Sequence, residues 1–343
     1  MRRSKNAIIV GYALTLAGCS IHPLPEDVTR ETTYRIVQKI RCEAREALTE
    51  LSVAALRESR DAGTHDLAAR VEAGHLQVTA LFEDPRYHPY VDPNVGHIFR
   101  IFALSAVAFD FTFTITENND SLANAKFRMP FTSGLFTLGL AAGMELARQN
   151  ERKLKTGDTF LELYEKAKPE GCWQIAAGGA NFIYPITGKI GLFKVFRTFY
   201  LMNRPFNPNL SGPLGEVETF DITPGSVRDV TDTLTFTTTL SAAATPAIEL
   251  DPISAHQFRL ASASATLAGK RMDIHKVAIS VEIGAPVTSL AQARSMVGLR
   301  ARAAPLAEVA KRKAFRRLDE LRTEDFFTQQ RDLRRRVDQL EER

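Results

Sequence analysis

Residues 109–116 read Phe-Asp-Phe-Thr-Phe-Thr-Ile-Thr, with apolar side chains at Phe109, Phe111, Phe113 and Ile115 and a polar one at every position between. Successive side chains on a strand point to opposite faces, so this period of two predicts a strand with one buried face and argues against a helix. Residues 134–148 repeat the pattern over a longer run. Phe136, Leu138, Leu140, Ala142, Met144 and Leu146 fall on one face, and Thr137, Gly139, Ala141, Gly143 and Glu145 on the other. So many small residues on one face imply that something packs closely there. Further strands are predicted at about 125–131, 152–163, 231–240, 257–268 and 273–283, which makes about seven. Asn118-Asn119-Asp120 reads as a turn, and Gly269-Lys270-Arg271 as the turn of a hairpin between the last two.

The flanks are helical. In residues 29–60, Ile36, Val37, Ile40, Ala44, Ala47, Leu48, Leu51 and Ala55 recur at three- and four-residue steps, with Thr29 or Thr32 as the cap. A weaker helical stretch follows from Thr64 through Leu67, Val71 and Leu76. Four breakers, Pro85, Pro89, Pro93 and Gly96, then mark a connector. Leu192, Val195, Phe196, Phe199 and Tyr200 are helix-spaced inside the β-rich region. Residues 305–343 carry eleven Lys or Arg against nine Asp or Glu. Phe326-Phe327 breaks their heptad register and Thr323-Glu324-Asp325 looks like a fresh cap, so two short helices or one kinked helix are expected there. The fold class is α+β: a mainly antiparallel sheet of about seven strands, an N-terminal helical hairpin and a charged C-terminal helical tail. With 44% hydrophobic and 24% charged residues in 343, the composition is that of a globular chain.

Before the first helix lies a different kind of segment. Arg2, Arg3 and Lys5 precede an apolar stretch at residues 7–17. As a helix it would rise ~16 Å, about half of a hydrocarbon core, so it fits a signal peptide rather than a membrane span. It ends in Leu16-Ala17-Gly18-Cys19, which resembles the lipobox of bacterial lipoproteins. The resemblance implies cleavage before Cys19 and acylation of Cys19, so that membrane lipid is a partner through that residue. Ser20 after the cysteine resembles the signal for outer-membrane sorting, which implies an exported, lipid-anchored chain facing the periplasm. The organisation expected is a signal peptide at 1–18, a tether at 19–28, and a helical region with its Pro-rich connector at 29–98. A β-rich domain follows at 99–290, with a helical insertion near 188–203, and then a helical tail at 291–343. Cys42 and Cys172 are left over, and an oxidising compartment allows them to pair or to stay as two buried thiols.

No segment supplies catalytic chemistry. Ser211 lacks a Gly-x-Ser-x-Gly elbow, and Gly157-Asp158-Thr159 sits in what reads as a turn between strands. Lys189 follows Gly188 but precedes Ile190, so no phosphate loop forms. For metals there is no His-Glu-x-x-His and no Cys-x-x-Cys. His88, His97, Asp84 and Asp92 crowd a loop, while Asp273 and His275 share a strand face that reads as exposed. No catalytic residue, metal site or cofactor is therefore expected. The net charge of +4 drops to +1 once Arg2, Arg3 and Lys5 leave, which gives no case for nucleic acid. The expected role is a non-catalytic envelope component that binds or assembles, through an envelope partner or self-association of the 305–343 helices. Two alternatives stand: a periplasmic enzyme, and a subunit of an oligomeric outer-membrane β-barrel. Membrane strands also alternate over ~9–11 residues. Against the barrel, the aromatics of 109–113 sit in mid-strand and seven strands cannot close an even set.

Overall fold

A computed structural model describes residues 32–84, 86–92, 96–131, 134–176, 189–203, 229–249, 259–285 and 299–341. Cys19 with its lipobox and tether, Ser211 and Gly188 lie outside the described residues. The class is α+β. One antiparallel sheet is built from β1 (Ser105–Phe131), β2 (Gly134–Thr159), β3 (Val230–Ala244), β4 (Ala247–Glu249) and β5 (Arg259–Ile283). Its order is β2-β1-β5-β3, with the short β4 paired on β5.

The seven expected strands are therefore four long ones and a short one, because three predicted breaks are not breaks. β1 continues through Asn118-Asn119-Asp120, β2 joins the runs at 134–148 and 152–163 up to Thr159, and β5 runs straight through Gly269-Lys270-Arg271. The broken runs lie beside one another: a Cβ on Gly269 would stand 3.5 Å from Asn119 Oδ1. Each polar triplet looks like a turn in its own strand, yet together they form a polar band across neighbouring strands.

The chain divides into two compact units. One comprises 32–112, 153–236 and 275–343, with the helices and the sheet segments that carry them. Its α1 (Thr33–Glu58) starts at Thr32, whose side chain accepts the Arg35 N–H, and it buries Ile36, Ile40, Ala44, Leu48 and Leu51 as its spacing predicts. Three consecutive residues of α1 each hold a distant segment, since neighbours on a helix point about 100° apart. Arg41 donates from Nε to Asp158 Oδ2 at 2.8 Å, at the end of β2. Cys42 is bonded to Cys172 on α6 (Pro169–Ala176), with Cα atoms 5.5 Å apart. Glu43 accepts the backbone N–H groups of Ile190, Gly191 and Leu192 at 2.7–3.0 Å, which caps α7 (Leu192–Asn203) from outside.

The Gly157-Asp158-Thr159 segment is not a turn between strands. Thr159 and Glu162 form a capping box that starts α5 (Phe160–Lys166), and the helix places Phe160 5.7 Å from Phe102 and 5.2 Å from Phe196 between ring centres. Phe102 itself belongs to α4 (Gly96–Leu104) rather than to the first strand. Asp158, fully buried, is also reached by Lys166 Nζ at 2.8 Å. Ahead of these, α2 (Ala62–Glu72) and α3 (Ala80–Glu83) fill the N-terminal helical region.

The tail is one helix, α8 (Leu299–Glu341), rather than two. Thr323 does not cap a new helix, because its hydroxyl donates to the Asp319 carbonyl one turn back. Ala303, Ala307, Ala310, Ala314 and Leu318 form a buried stripe, and Ala314 and Leu318 pack on Ala108 of β1. The approach is close enough that a Cβ on Gly157 would lie 2.7 Å from Phe315 Cζ. Beyond that stripe Phe326 and Phe327 are exposed.

Glu282 of β5 is buried, and burial with Asp229 nearby pushes its carboxyl up to about 7 despite Lys313 and Arg317. A carboxyl whose pKa is raised on folding ionises first in the unfolded chain, so it lowers stability as pH rises from about 4.5 to about 7. Glu282→Gln is therefore expected to raise the melting temperature at pH 8, by on the order of 2 kcal/mol of stability, and to change nothing at pH 4. Thermal unfolding at the two pH values checks this, and an equal effect at both would refute it.

Candidate membrane-facing sheet

The second unit comprises the described parts of 113–152 and 237–274 and is sheet alone. Its faces are fixed by side-chain contacts across the strands. Glu117 of β1 accepts from Arg148 of β2 (Nε to Oε2, 2.6 Å) and from Arg271 of β5 (Nη1 to Oε1, 3.0 Å). These three side chains must share a face, and every second residue on each strand shares it with them. Ser121 Oγ, within 3.5 Å of the Met144 carbonyl, places Met144 opposite it in the same register.

On that face β1 presents Ala123, Ala125 and Phe127; β2 presents Leu138, Leu140, Ala142, Met144 and Leu146; β5 presents Ala263, Ala265 and Leu267. The other face carries Asn124, Lys126 and Arg128, then Thr137, Gly139, Ala141, Gly143 and Glu145, then Ser262, Ser264 and Thr266. That face is mainly rather than purely polar, since it also carries Leu122 of β1 and Ala268, Met272 and Ile274 of β5. Gly143 makes room for Leu122, and a Cβ on that glycine would stand 3.4 Å from Leu122 Cδ1. Close packing against the small residues of β2 is thus seen at Gly143 and not at Gly139, where an added Cβ would meet nothing within 4 Å.

Among the described residues nothing covers the apolar face. Leu140, Met144, Leu146 and Leu267 are 52–59% exposed. Single exposed leucines need no explanation, but a contiguous face of them marks a surface meant for an apolar environment. Along β2 the run from Phe136 to Leu146 spans eleven residues, against the ~9–11 that a tilted membrane strand needs.

A charged belt edges this face. Arg271 donates to Asp273 through Nε (2.8 Å) and Nη2 (3.1 Å) as well as to Glu117, and Arg148 completes the set. On β1 the same face runs from buried Phe113 and Ile115 through Glu117 to the exposed apolar row. Sequence reading missed this belt, although Arg271 and Asp273 two residues apart on one strand are the signal that was available. Asp273 and His275 were expected on an exposed face, and both are buried, at 2% and 1% exposure. They sit on β5, a strand flanked on both sides, where Arg271 neutralises Asp273.

The remaining candidates stay dispersed. Asp84 is held by Arg86, and Asp92 accepts from Ser59 Oγ at 2.7 Å. Among the described residues no three His, Cys, Asp or Glu side chains gather as metal ligands, and no helix is long and apolar enough to cross a membrane. The latter says nothing of strands.

Comparison with known proteins gives two matches. The family described as uncharacterised protein y4kA matches residues 22–293, which include all of the sheet. The uncharacterized protein y4kA of Sinorhizobium fredii (strain NBRC 101917 / NGR234) is 32% identical over 280 residues, covering 80% of this chain and 81% of that relative.

Proposed function

We propose that this chain, which belongs to the uncharacterised y4kA family, is a lipid-anchored subunit of an oligomeric outer-membrane β-barrel. The observation that carries the reading is the two-faced sheet in the described parts of 113–152 and 237–274, with an exposed apolar row on one side and a mainly polar face on the other. A membrane strand needs that division, apolar toward lipid and polar toward a water-filled interior. In water the same row would be a liability for aggregation. The objection from mid-strand aromatics falls away, because Phe109, Phe111 and Phe113 are fully buried, and the exposed row begins farther along β1. Among the described residues the sheet has four long strands on its path and the three-residue β4 beside β5, so the reading takes four membrane strands from each copy.

Four strands are too few to close, for the smallest membrane barrels have eight. The barrel is therefore shared between copies, and acylated Cys19 holds each copy at the membrane before its strands insert. Nothing in the reading calls for catalysis or a cofactor. The test is the state of the full chain extracted from envelopes, by size exclusion coupled to light scattering. A ring several times the 38.1 kDa of the chain, soluble only in detergent, is expected. A monomer that stays in solution after detergent removal would overturn the reading.

A further inference from the structure

We infer that β2 of one copy pairs with β3 of the next copy, antiparallel, and that this single repeated contact closes the barrel. The inference rests on the reading above and specifies its interface. In lipid every backbone N–H and C=O must be bonded, so a membrane sheet has no open edges. Among the described residues the order β2-β1-β5-β3 leaves β2 and β3 at the two ends of the path, with the short β4 also paired on β5. Blunting devices are absent only along the stretches beside the apolar row, for β2 farther on carries Arg148, Arg152, Lys153 and Lys155, and Pro246 follows β3. From Gly134 to Ala147 β2 contains one charge, Glu145, and no proline, and from Val230 to Ala244 β3 contains one charge, Asp232, and no proline.

The strand directions favour the same partner. With every neighbour antiparallel, β2 runs with β5 and β3 runs with β1, so the two edges are opposed. A second copy set head to tail therefore continues the antiparallel alternation across the junction. Each copy adds four strands, and the total is always even, as membrane barrels of this kind require. Such a contact uses two different surfaces, and its repetition gives a ring rather than a dimer. An edge pairing of β2 with β2, by contrast, would stop at two copies.

Chemistry also fixes the register to within its parity. On β2 the even-numbered Leu138, Leu140, Ala142, Met144 and Leu146 are apolar, and on β3 the even-numbered Leu234, Phe236, Leu240, Ala242 and Ala244. At odd positions the apolar residues of these stretches are Ala141, Ala147 and Ala243. A one-residue slip would carry one set to the other face. Even-numbered residues of β2 must therefore lie beside even-numbered residues of β3, and odd beside odd.

Cysteine pairs in the full-length chain test this in intact membranes, where Cys42 and Cys172 are already bonded to each other. Ala141→Cys is combined in turn with Thr239→Cys, Ser241→Cys and Ala243→Cys, then oxidised and run without reductant. At least one of these odd–odd pairs is expected to give a ladder of multimers beyond the dimer, at least tenfold above either single variant. Ala142→Cys with Ala243→Cys, which mixes parity, is expected to give none. Two results overturn the inference while leaving the barrel standing: dimers from Ala141→Cys alone, or detergent-extracted rings from which no odd–odd pair yields a ladder. A chain that is monomeric and soluble without detergent removes the barrel reading, and this interface with it.

Discussion

Leu140→Arg is expected to abolish ring assembly while leaving the helical unit folded. Leu140 lies near the middle of the apolar run of β2 and is 54% exposed. At the midplane of a membrane barrel a lipid-facing arginine costs about 2–4 kcal/mol, falling to about 0–1 near the interfaces. Every copy in the ring carries that cost, so the assembled fraction should collapse. Two substitutions calibrate the result. Ala141→Arg, one residue along and on the polar face, should assemble as the native chain does. Leu146→Arg, two residues from Arg148 of the charged belt, should have a small effect. Light scattering of detergent extracts measures the ring, and far-ultraviolet circular dichroism measures the helices. The two readings of the sheet predict opposite signs, because in a water-exposed sheet an arginine at a half-exposed leucine improves solubility. Assembly of Leu140→Arg at the native level would therefore sink the membrane assignment.

That opposition shows why the sequence alone left both readings open. Alternation reports that a strand has two unlike faces, and Phe111 and Leu140 give the same signal. One is fully buried within its own chain and the other stands exposed. What separates them is which segments lie alongside, and alternation carries no information about that. Two false turns arose the same way. Asn118-Asn119-Asp120 and Gly269-Lys270-Arg271 have turn composition, but in the fold they lie across neighbouring strands, where Arg271 donates to Glu117. Local elements with strong local signals were legible. α1 begins at Thr32 with the expected buried positions, and α7 covers the helix-spaced residues from Leu192 to Tyr200. The continuity of α8 was hidden because a threonine hydroxyl can cap a following helix or bond back to the preceding turn, and Thr323 does the second.

The remaining large effect belongs to the disulfide. Cys42 and Cys172 are 130 residues apart, and closing a loop of that length removes roughly 4–5 kcal/mol of chain entropy from the unfolded state in the simplest account, with measured values more often 2–4. Cys172 sits on α6, a helix of eight residues, too short to persist without tertiary support. The neighbours of Cys42 on α1 hold other segments: Arg41 the end of β2, and Glu43 the start of α7. Loss of the bond should therefore free α6 first and leave those two attachments in place. Cys42→Ser is expected to lose about 3–5 kcal/mol of stability, and reductant should lower the native chain to the same level while leaving the variant unchanged. Denaturant unfolding followed with and without reductant measures the first effect, and limited proteolysis at residues 167–176 the second. Equal midpoints for the native chain with and without reductant would show that the bond does not stabilise the fold. The same argument ties stability to compartment. The bond persists only where thiols are oxidised, so a chain produced in a reducing cytosol should match Cys42→Ser rather than a chain folded under oxidising conditions.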